Sequence, residues 1–330
     1  MLRHKSATCL LGTMALPGIP RQRDADTMTG TSIDIIRGLT KRYGRTLALH
    51  DLDLEIVRGE VFGYLGPNGA GKTTTLRLLM GLLRPTAGSA QIDGLDTWAE
   101  SVGVRRRVGY LSGEPALYGR MTGRQHVDFL GHLRKAQTAA AANRFAERLV
   151  LDLDRPAQEL SKGNRQKLAL VLALMSEPEL LVLDEPTGGL DPLAQQEFYA
   201  ILHEHKASGR TVLLSSHVLS EVQRIADRVG VLRAGELIAV DRLDLLRERS
   251  FHHVRATFAQ PVDPAPFAGL PGVRDLTVQD HALTCSAPES SLDALVKEVS
   301  RHTIVDFECA EAELEETLLA YYTKEDAHAS

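Results

Sequence analysis

One short string limits what this chain can fold into. Gly66-Pro67-Asn68-Gly69-Ala70-Gly71-Lys72-Thr73-Thr74 sits between an apolar run, Val61-Phe62-Gly63-Tyr64-Leu65, and a segment of helical character, Thr74-Thr75-Leu76-Arg77-Leu78-Leu79-Met80. A strand, a glycine-rich loop and a helix in that order make a phosphate cradle. The glycines let backbone N–H groups converge on phosphate oxygens without Cβ clashes, and the helix N-terminus adds partial positive charge. Lys72 is then placed to reach the β- and γ-phosphates of a nucleotide, and the Thr73 hydroxyl to ligate Mg²⁺. Such a unit belongs in an α/β sheet, with the loop at the carboxyl end of a parallel strand.

The rest of the chain fits that frame. Leu52, Leu54 and Ile56 alternate with Asp51, Asp53 and Glu55, the period-two pattern of a half-exposed, antiparallel strand. Ala90 to Gly94 reads as a strand ending in an Asp-Gly turn, and Arg107 to Leu111 as a further short strand. Residues 122–150 are helical in character, most strongly in the alanine-rich stretch Lys135 to Ala146. Ser161 opens a helix that Pro178 must stop. Leu180-Leu181-Val182-Leu183 and Thr211-Val212-Leu213-Leu214 are continuous apolar runs, as strands covered on both faces require. Val229 to Val240 turns at Ala234-Gly235, a hairpin.

Character changes around Arg247–Ser250. Beyond it come Pro261, Pro264, Pro266 and Pro271, strand-like runs at Val254–Phe258 and Val273–Val278, a helical Ser291–Arg301, a strand, and a helical Glu311–Tyr322. This gives three parts: an N-terminal extension over 1–31, expected to be disordered; a nucleotide-binding part over 32–246; and a small α+β domain over 250–330. Arg3-His4-Lys5 followed by Ala7 to Ile19 faintly resembles a leader. Gly12, Pro17 and Pro20 interrupt it, so a start at Met28 with a dispensable residue 1–27 segment is expected.

Bulk numbers exclude several classes. The 330 residues are 43% hydrophobic and 25% charged, ordinary globular values. A net charge of −5 argues against nucleic acid as the partner. Cys9, Cys285 and Cys309 have no metal-ligand or disulfide spacing. No apolar run spans a bilayer; the longest, Leu168 to Leu183, is cut by Ser176-Glu177-Pro178-Glu179.

Several further motifs fall in a fixed order around the loop. Tyr43 precedes it. Tyr110 to Tyr118 forms a loop after it. Leu160-Ser161-Lys162-Gly163-Asn164-Arg165-Gln166-Lys167 opens a helix, the Leu180 strand ends in Asp184-Glu185, Gly188-Gly189-Leu190-Asp191 follows, and His217 ends the Thr211–Ser216 strand. Over about residues 32–245 this order resembles the nucleotide-binding subunit of ABC transporters. The resemblance implies a P-loop core with an antiparallel β subdomain and a helical subdomain. It implies ATP and Mg²⁺ held by Gly66–Thr74, with Thr73 and Asp184 toward the metal, Glu185 as general base, His217 on the γ-phosphate and Tyr43 stacked on adenine. Ser161, Lys162, Gly163 and Asn164 would close over ATP on a partner subunit, with Asp191 in the dimer loop. Ser161 also reads as a plain helix N-cap, and both readings can hold.

The implied protein is an ATP-hydrolysing subunit, homodimeric or paired with a related ATPase. It would be peripheral on the cytoplasmic face of the membrane and power export through a separate integral-membrane permease. The alternatives are an ABC ATPase outside transport or a regulator that binds ATP without turnover. Two departures from the family pattern stand out. Gly113 occupies the position of a customary Gln, beside Glu114, and is expected to supply a positive φ before Pro115. Lys162 and Asn164 replace the commoner Gly and Gln.

Overall fold

The computed structural model describes residues 32–243 and 251–311. The readings made above for residues 1–31, for the boundary at Arg247–Ser250, and for the closing helix beyond Glu311 lie outside the described residues.

The chain opens with two long strands, β1 (Ser32–Tyr43) and β2 (Thr46–Val57), then β3 (Val61–Leu65), the loop, and α1 (Lys72–Leu79). β4 (Ala87–Ile92) and β5 (Leu95–Asp96) form a hairpin across Asp93-Gly94, whose φ values of 51° and 77° are both positive, as a tight two-residue turn needs. β1, β2, β4 and β5 make an antiparallel sheet of order β2-β1-β4-β5. Next come α2 (Ser101–Arg107), β6 (Val108–Leu111), α3 (Gly123–Arg134), α4 (Ala139–Arg148) and α5 (Lys162–Leu174). Then follow β7 (Leu180–Asp184), α6 (Pro192–Ala207), β8 (Thr211–Ser216), α7 (Leu219–Gln223), β9 (Arg228–Arg233) and β10 (Glu236–Arg242).

The central sheet has the order β10-β9-β3-β8-β7-β6, parallel except for the β9–β10 hairpin. β3, β7 and β8 are buried along their whole length because both faces of the sheet are covered there. On one face Val61, Leu65, Leu181, Leu183, Val212 and Leu214 pack with Phe145, Leu168 and Phe198 of the helices. On the other, Phe62, Tyr64, Leu180, Val182 and Leu213 pack with Ile36, Leu39, Leu52 and Ile56 of the antiparallel sheet. The period of two along each strand thus divides one sequence run between two cores.

The helical stretch 122–150 is not continuous. Thr122 caps α3 in a capping box with Gln125. Lys135 then turns left-handed, φ 53°, and Ala136 N–H closes on Gly131 O at 3.0 Å, so α3 ends and α4 starts only at Ala139. High alanine propensity did not override that terminating turn.

A third sheet, of order β12-β13-β11-β14, comprises β11 (Phe251–Phe258), β12 (Arg274–Gln279), β13 (Ala282–Pro288) and β14 (Ile304–Glu311), with α8 (Ala265–Ala268) and α9 (Glu289–Val299) between strands. This is the split β-α-β-β-α-β arrangement. Its core gathers Val254, Ala256, Phe258, Phe267, Leu283, Leu295 and Val299. β13 and α8 escaped the sequence reading, because small residues such as Ala282, Thr284, Ser286 and Ala287 carry little hydrophobic signal.

Asp34 is out of place in this packing. It lies on β1 in register with Ile56 and Ile92, is 0% exposed, and neither carboxylate oxygen has a hydrogen-bond partner. Burial alone pushes its pKa up to about 8 from 3.8. The folded state therefore holds a proton that the unfolded chain releases above the ordinary carboxylate range. Asp34 lets full stability stand below about pH 4 and removes it as pH rises toward 8, by up to about 1.4 kcal/mol per pH unit. Asp34→Val is expected to raise the unfolding midpoint, and by more at pH 8 than at pH 5. Denaturant unfolding of both proteins at the two pH values checks this; an equal or negative difference at pH 8 would refute the assignment.

Candidate functional site

The carboxyl ends of β3, β7 and β8 converge, and the sequence-selected residues gather there. At the loop, Gly71 caps α1 with φ 114°, and a Cβ there would sit 2.8 Å from Ala48 O and from Leu49 Cδ2. Only glycine fits, so the β1–β2 hairpin and the loop press together. Lys72 is 5% exposed and folds back over the loop. Its Nζ donates to Gly66 O and, at 3.2 Å, to Pro67 O, and lies 3.3 Å from Glu185 Oε1.

Asp184 ends β7, almost fully buried, and its Oδ1 accepts from Thr73 Oγ1 at 3.1 Å and from Ser215 Oγ at 2.8 Å. Glu185, the next residue, points elsewhere because its backbone is left-handed, φ 47°. A non-glycine residue in that conformation costs roughly 1–3 kcal/mol and persists where its surroundings enforce it. Here Glu185 N–H donates to Ser215 O and Ser215 Oγ, both at 3.2 Å. The Glu185 carboxylate accepts from Nδ1 of His217 at 2.8 Å. Lys72, Thr73, Asp184, Glu185 and His217 thus form one connected set, with Thr73 and Asp184 offering hard oxygen donors side by side.

Other selected residues sit apart from that set. Tyr43 ends β1, 46% exposed, with Lys41 Nζ 5.1 Å above its ring centroid. Ser161 caps α5, accepting from Asn164 N–H at 3.2 Å, and Lys162 and Gly163 follow as its first residues. Among the described residues no hydrogen bond or ion pair joins Ser161, Lys162, Gly163 or Asn164 to Lys72, Asp184, Glu185 or His217; Lys162 and Gly163 instead lie against Gly189, with the Lys162 side chain along it. Asp191 caps α6 by accepting from Ala194 N–H at 2.9 Å. That bond, then Lys167, holds its carboxyl below the usual range.

Sequence reasoning missed Ser215, which carries both carboxylate residues, and Glu221. One Glu221 oxygen accepts from Thr187 Oγ1 and the other from Ser216 Oγ, both at 2.7 Å, tying the segment after Glu185 to the one before His217. Ser215 could have been found as the second residue before His217 on a buried strand; Glu221 needs the fold.

The ABC transporter family model matches residues 49–188. The daunorubicin resistance ATP-binding protein DrrA3 of Streptomyces coeruleorubidus is 42% identical over 225 residues, 67% of this chain and 71% of that protein. A bacitracin transport ATP-binding protein of Enterococcus faecalis is 30% identical over 290 residues, 87% of this chain and 94% of its own. This chain belongs to the ABC transporter ATP-binding family. Among solved structures, an ATP-binding subunit of an ABC transporter superposes with a TM-score of 0.62 at 27% identity, over 81% of this chain and 99% of the other. As a member of the ABC transporter family the chain is an ATPase, and its fold is the family's P-loop core with antiparallel and helical additions.

One expectation about the family's customary Gln position is overturned. Gly113 does not have a positive φ. A Cβ there would meet Asp184 Oδ2 at 3.5 Å and Asp184 Cγ at 3.6 Å, ordinary contact distances. The loop needs neither glycine's conformational freedom nor its smallness, and Glu114 is exposed, its carbonyl taken by Ser112 Oγ at 2.7 Å. Gly113→Gln is therefore expected to cost less than about 0.5 kcal/mol of stability and to hold or raise the ATPase rate, since its carboxamide starts beside Asp184. Steady-state hydrolysis and a melting curve decide; a strongly destabilised or inactive variant would show that glycine is required.

Proposed function

We propose that this subunit hydrolyses ATP in a head-to-tail dimer and powers export through a separate membrane permease. The carrying observation is the connected set at the carboxyl end of the sheet: a buried lysine, two differently partnered carboxylates, and a histidine on the second of them. Backbone N–H groups of Gly66–Thr74 and Lys72 would hold the phosphates, and Tyr43 would stack on adenine with the ring face away from Lys41. The Thr73 hydroxyl and Asp184 carboxylate suit Mg²⁺, which prefers a few oxygen ligands plus water and phosphate. Bound there, the ion would neutralise charge on the β- and γ-oxygens.

Glu185 would take a proton from water as its oxygen attacks the γ-phosphorus and the bond to the bridging oxygen of ADP breaks. His217, anchored by Nδ1 on Glu185, would present its other ring edge to the γ-phosphate. Among the described residues Ser161, Lys162, Gly163 and Asn164 make no hydrogen bond or ion pair with Lys72, Asp184, Glu185 or His217, which supports their role over the ATP of a second subunit. Asp191 would lie at the same seam.

Among the described residues no helix is long and apolar enough to cross a membrane, which supports a permease as a separate chain, with this subunit on its cytoplasmic face. The named transport roles of the relatives support export. The permease would dock on Tyr118, Phe129 and Leu133, which are 62%, 42% and 58% exposed, with Tyr118 and Phe129 edge to face at 5.9 Å. The loop from Gly113 beside Asp184 leads directly to Tyr118, so docking and chemistry share one segment. The third sheet, with its own core and no phosphate-binding string, would be an accessory domain.

Lys72→Ala is expected to abolish hydrolysis and weaken ATP binding, because its charge lies where phosphate charge develops. Glu185→Gln should keep binding, lose turnover, and with ATP form a stable dimer on sizing. Hydrolysis at the parent rate in Lys72→Ala would sink the site assignment, and a Glu185→Gln protein that stays monomeric with ATP would count against the sandwich. A chain ending at Arg249 should retain ATP binding; a folded truncation without it would refute the accessory role.

A further inference from the structure

The helix that carries the partner-facing residues is bound to the catalytic loop of its own subunit along a single face. Gly163, Gln166 and Lys167 stand at i, i+3 and i+4 on α5, one side of the helix. All three meet the segment Pro186–Asp191. A Cβ on Gly163 would come within 2.6 Å of Gly189 O. The Gln166 side chain, 4% exposed, donates from Nε2 to Pro186 O at 3.0 Å. Lys167, 8% exposed, places Nζ 3.0 Å from Asp191 Oδ2. The segment begins one residue after Glu185, whose left-handed backbone needs enforcement, and its Thr187 is held through Glu221.

We infer that Lys167 is a positioning residue: its ion pair with Asp191 fastens the segment after Glu185 to α5, so that engagement of Ser161 and Gly163 with the partner subunit's ATP sets the carboxylate geometry in this subunit. The inference rests on the sandwich reading above. A buried lysine with one carboxylate partner is a poor source of stability, since an apolar side chain of similar volume usually packs as well. Asp191 does not need Lys167 to be satisfied, because its Oδ1 already caps α6. The pair's contribution therefore lies in where it holds the loop. Misplacement of a reacting group by a fraction of an ångström lowers turnover without touching nucleotide affinity.

The test uses the full chain. Lys167→Met should melt at or above the parent temperature and bind ATP as the parent does, while kcat falls about tenfold. Lys167→Arg should recover most of that loss. Asp191→Asn, which keeps an acceptor for Ala194 N–H, should show the same fall, and the double variant should be no worse than either single one. In a Glu185→Gln background, Lys167→Met should raise the ATP concentration needed for dimerisation by about tenfold. Parent-like kcat and dimerisation in Lys167→Met, additive effects in the double variant, or a kcat loss that follows a lowered melting temperature would overturn the inference while leaving the sandwich intact. Failure of Glu185→Gln alone to dimerise with ATP would remove the sandwich and this inference with it.

Discussion

Two acidic side chains on adjacent residues, at the carboxyl end of a parallel sheet, would repel unless each had its own partners. The site depends on how that conflict is resolved. Asp184 stays in line with β7 and takes two hydroxyls, from Thr73 and Ser215. Glu185 is rotated away by its left-handed backbone and takes Lys72 and His217. The difference in partners follows from that one backbone turn: neutral hydroxyl donors on one carboxylate, a lysine and an imidazole on the other. Ser215 serves both, donating from Oγ to Asp184 and accepting from Glu185 N–H, so the neighbouring strand β8 enforces the turn.

The parts of this design visible in the sequence are those encoded over a few consecutive residues. The phosphate loop is a backbone conformation, and Gly66, Gly71 and Lys72 write it locally. The buried strands are legible because both faces are covered and Leu180–Leu183 need show no alternation. The motif order around them supplied the family resemblance and, with it, the roles proposed for Glu185 and His217. Ser161 was legible as a helix cap, and the cap is present in the structure.

What was hidden depends on contacts distant in sequence or on weak local signals. Ser215 meets Asp184 from another strand, and Glu221 meets Thr187 from a helix past β8. Lys167 entered the sequence reading only as the last residue of the string that opens a helix, and only the fold brings it to Asp191. The break at Lys135, where the alanine-rich run begins, shows terminating backbone geometry overriding propensity. Gly113 erred the other way: a glycine before Glu114-Pro115 suggested a special conformation, yet the backbone there is one that any residue adopts.

Asp34 and Lys167 share a description, a charged residue type almost without solvent, and their environments give it opposite meanings. Asp34 has apolar neighbours in register and no donor, so its least costly state is neutral and its effect is a pH-dependent loss of stability. Lys167 has a carboxylate at ion-pair distance, and that carboxylate has a second use as a helix cap. Burial therefore distinguishes neither group; partnership does. Where the partner lies on a segment that begins beside the strained backbone of Glu185, the pair's consequence is geometric: it ties α5 to the segment that follows that carboxylate.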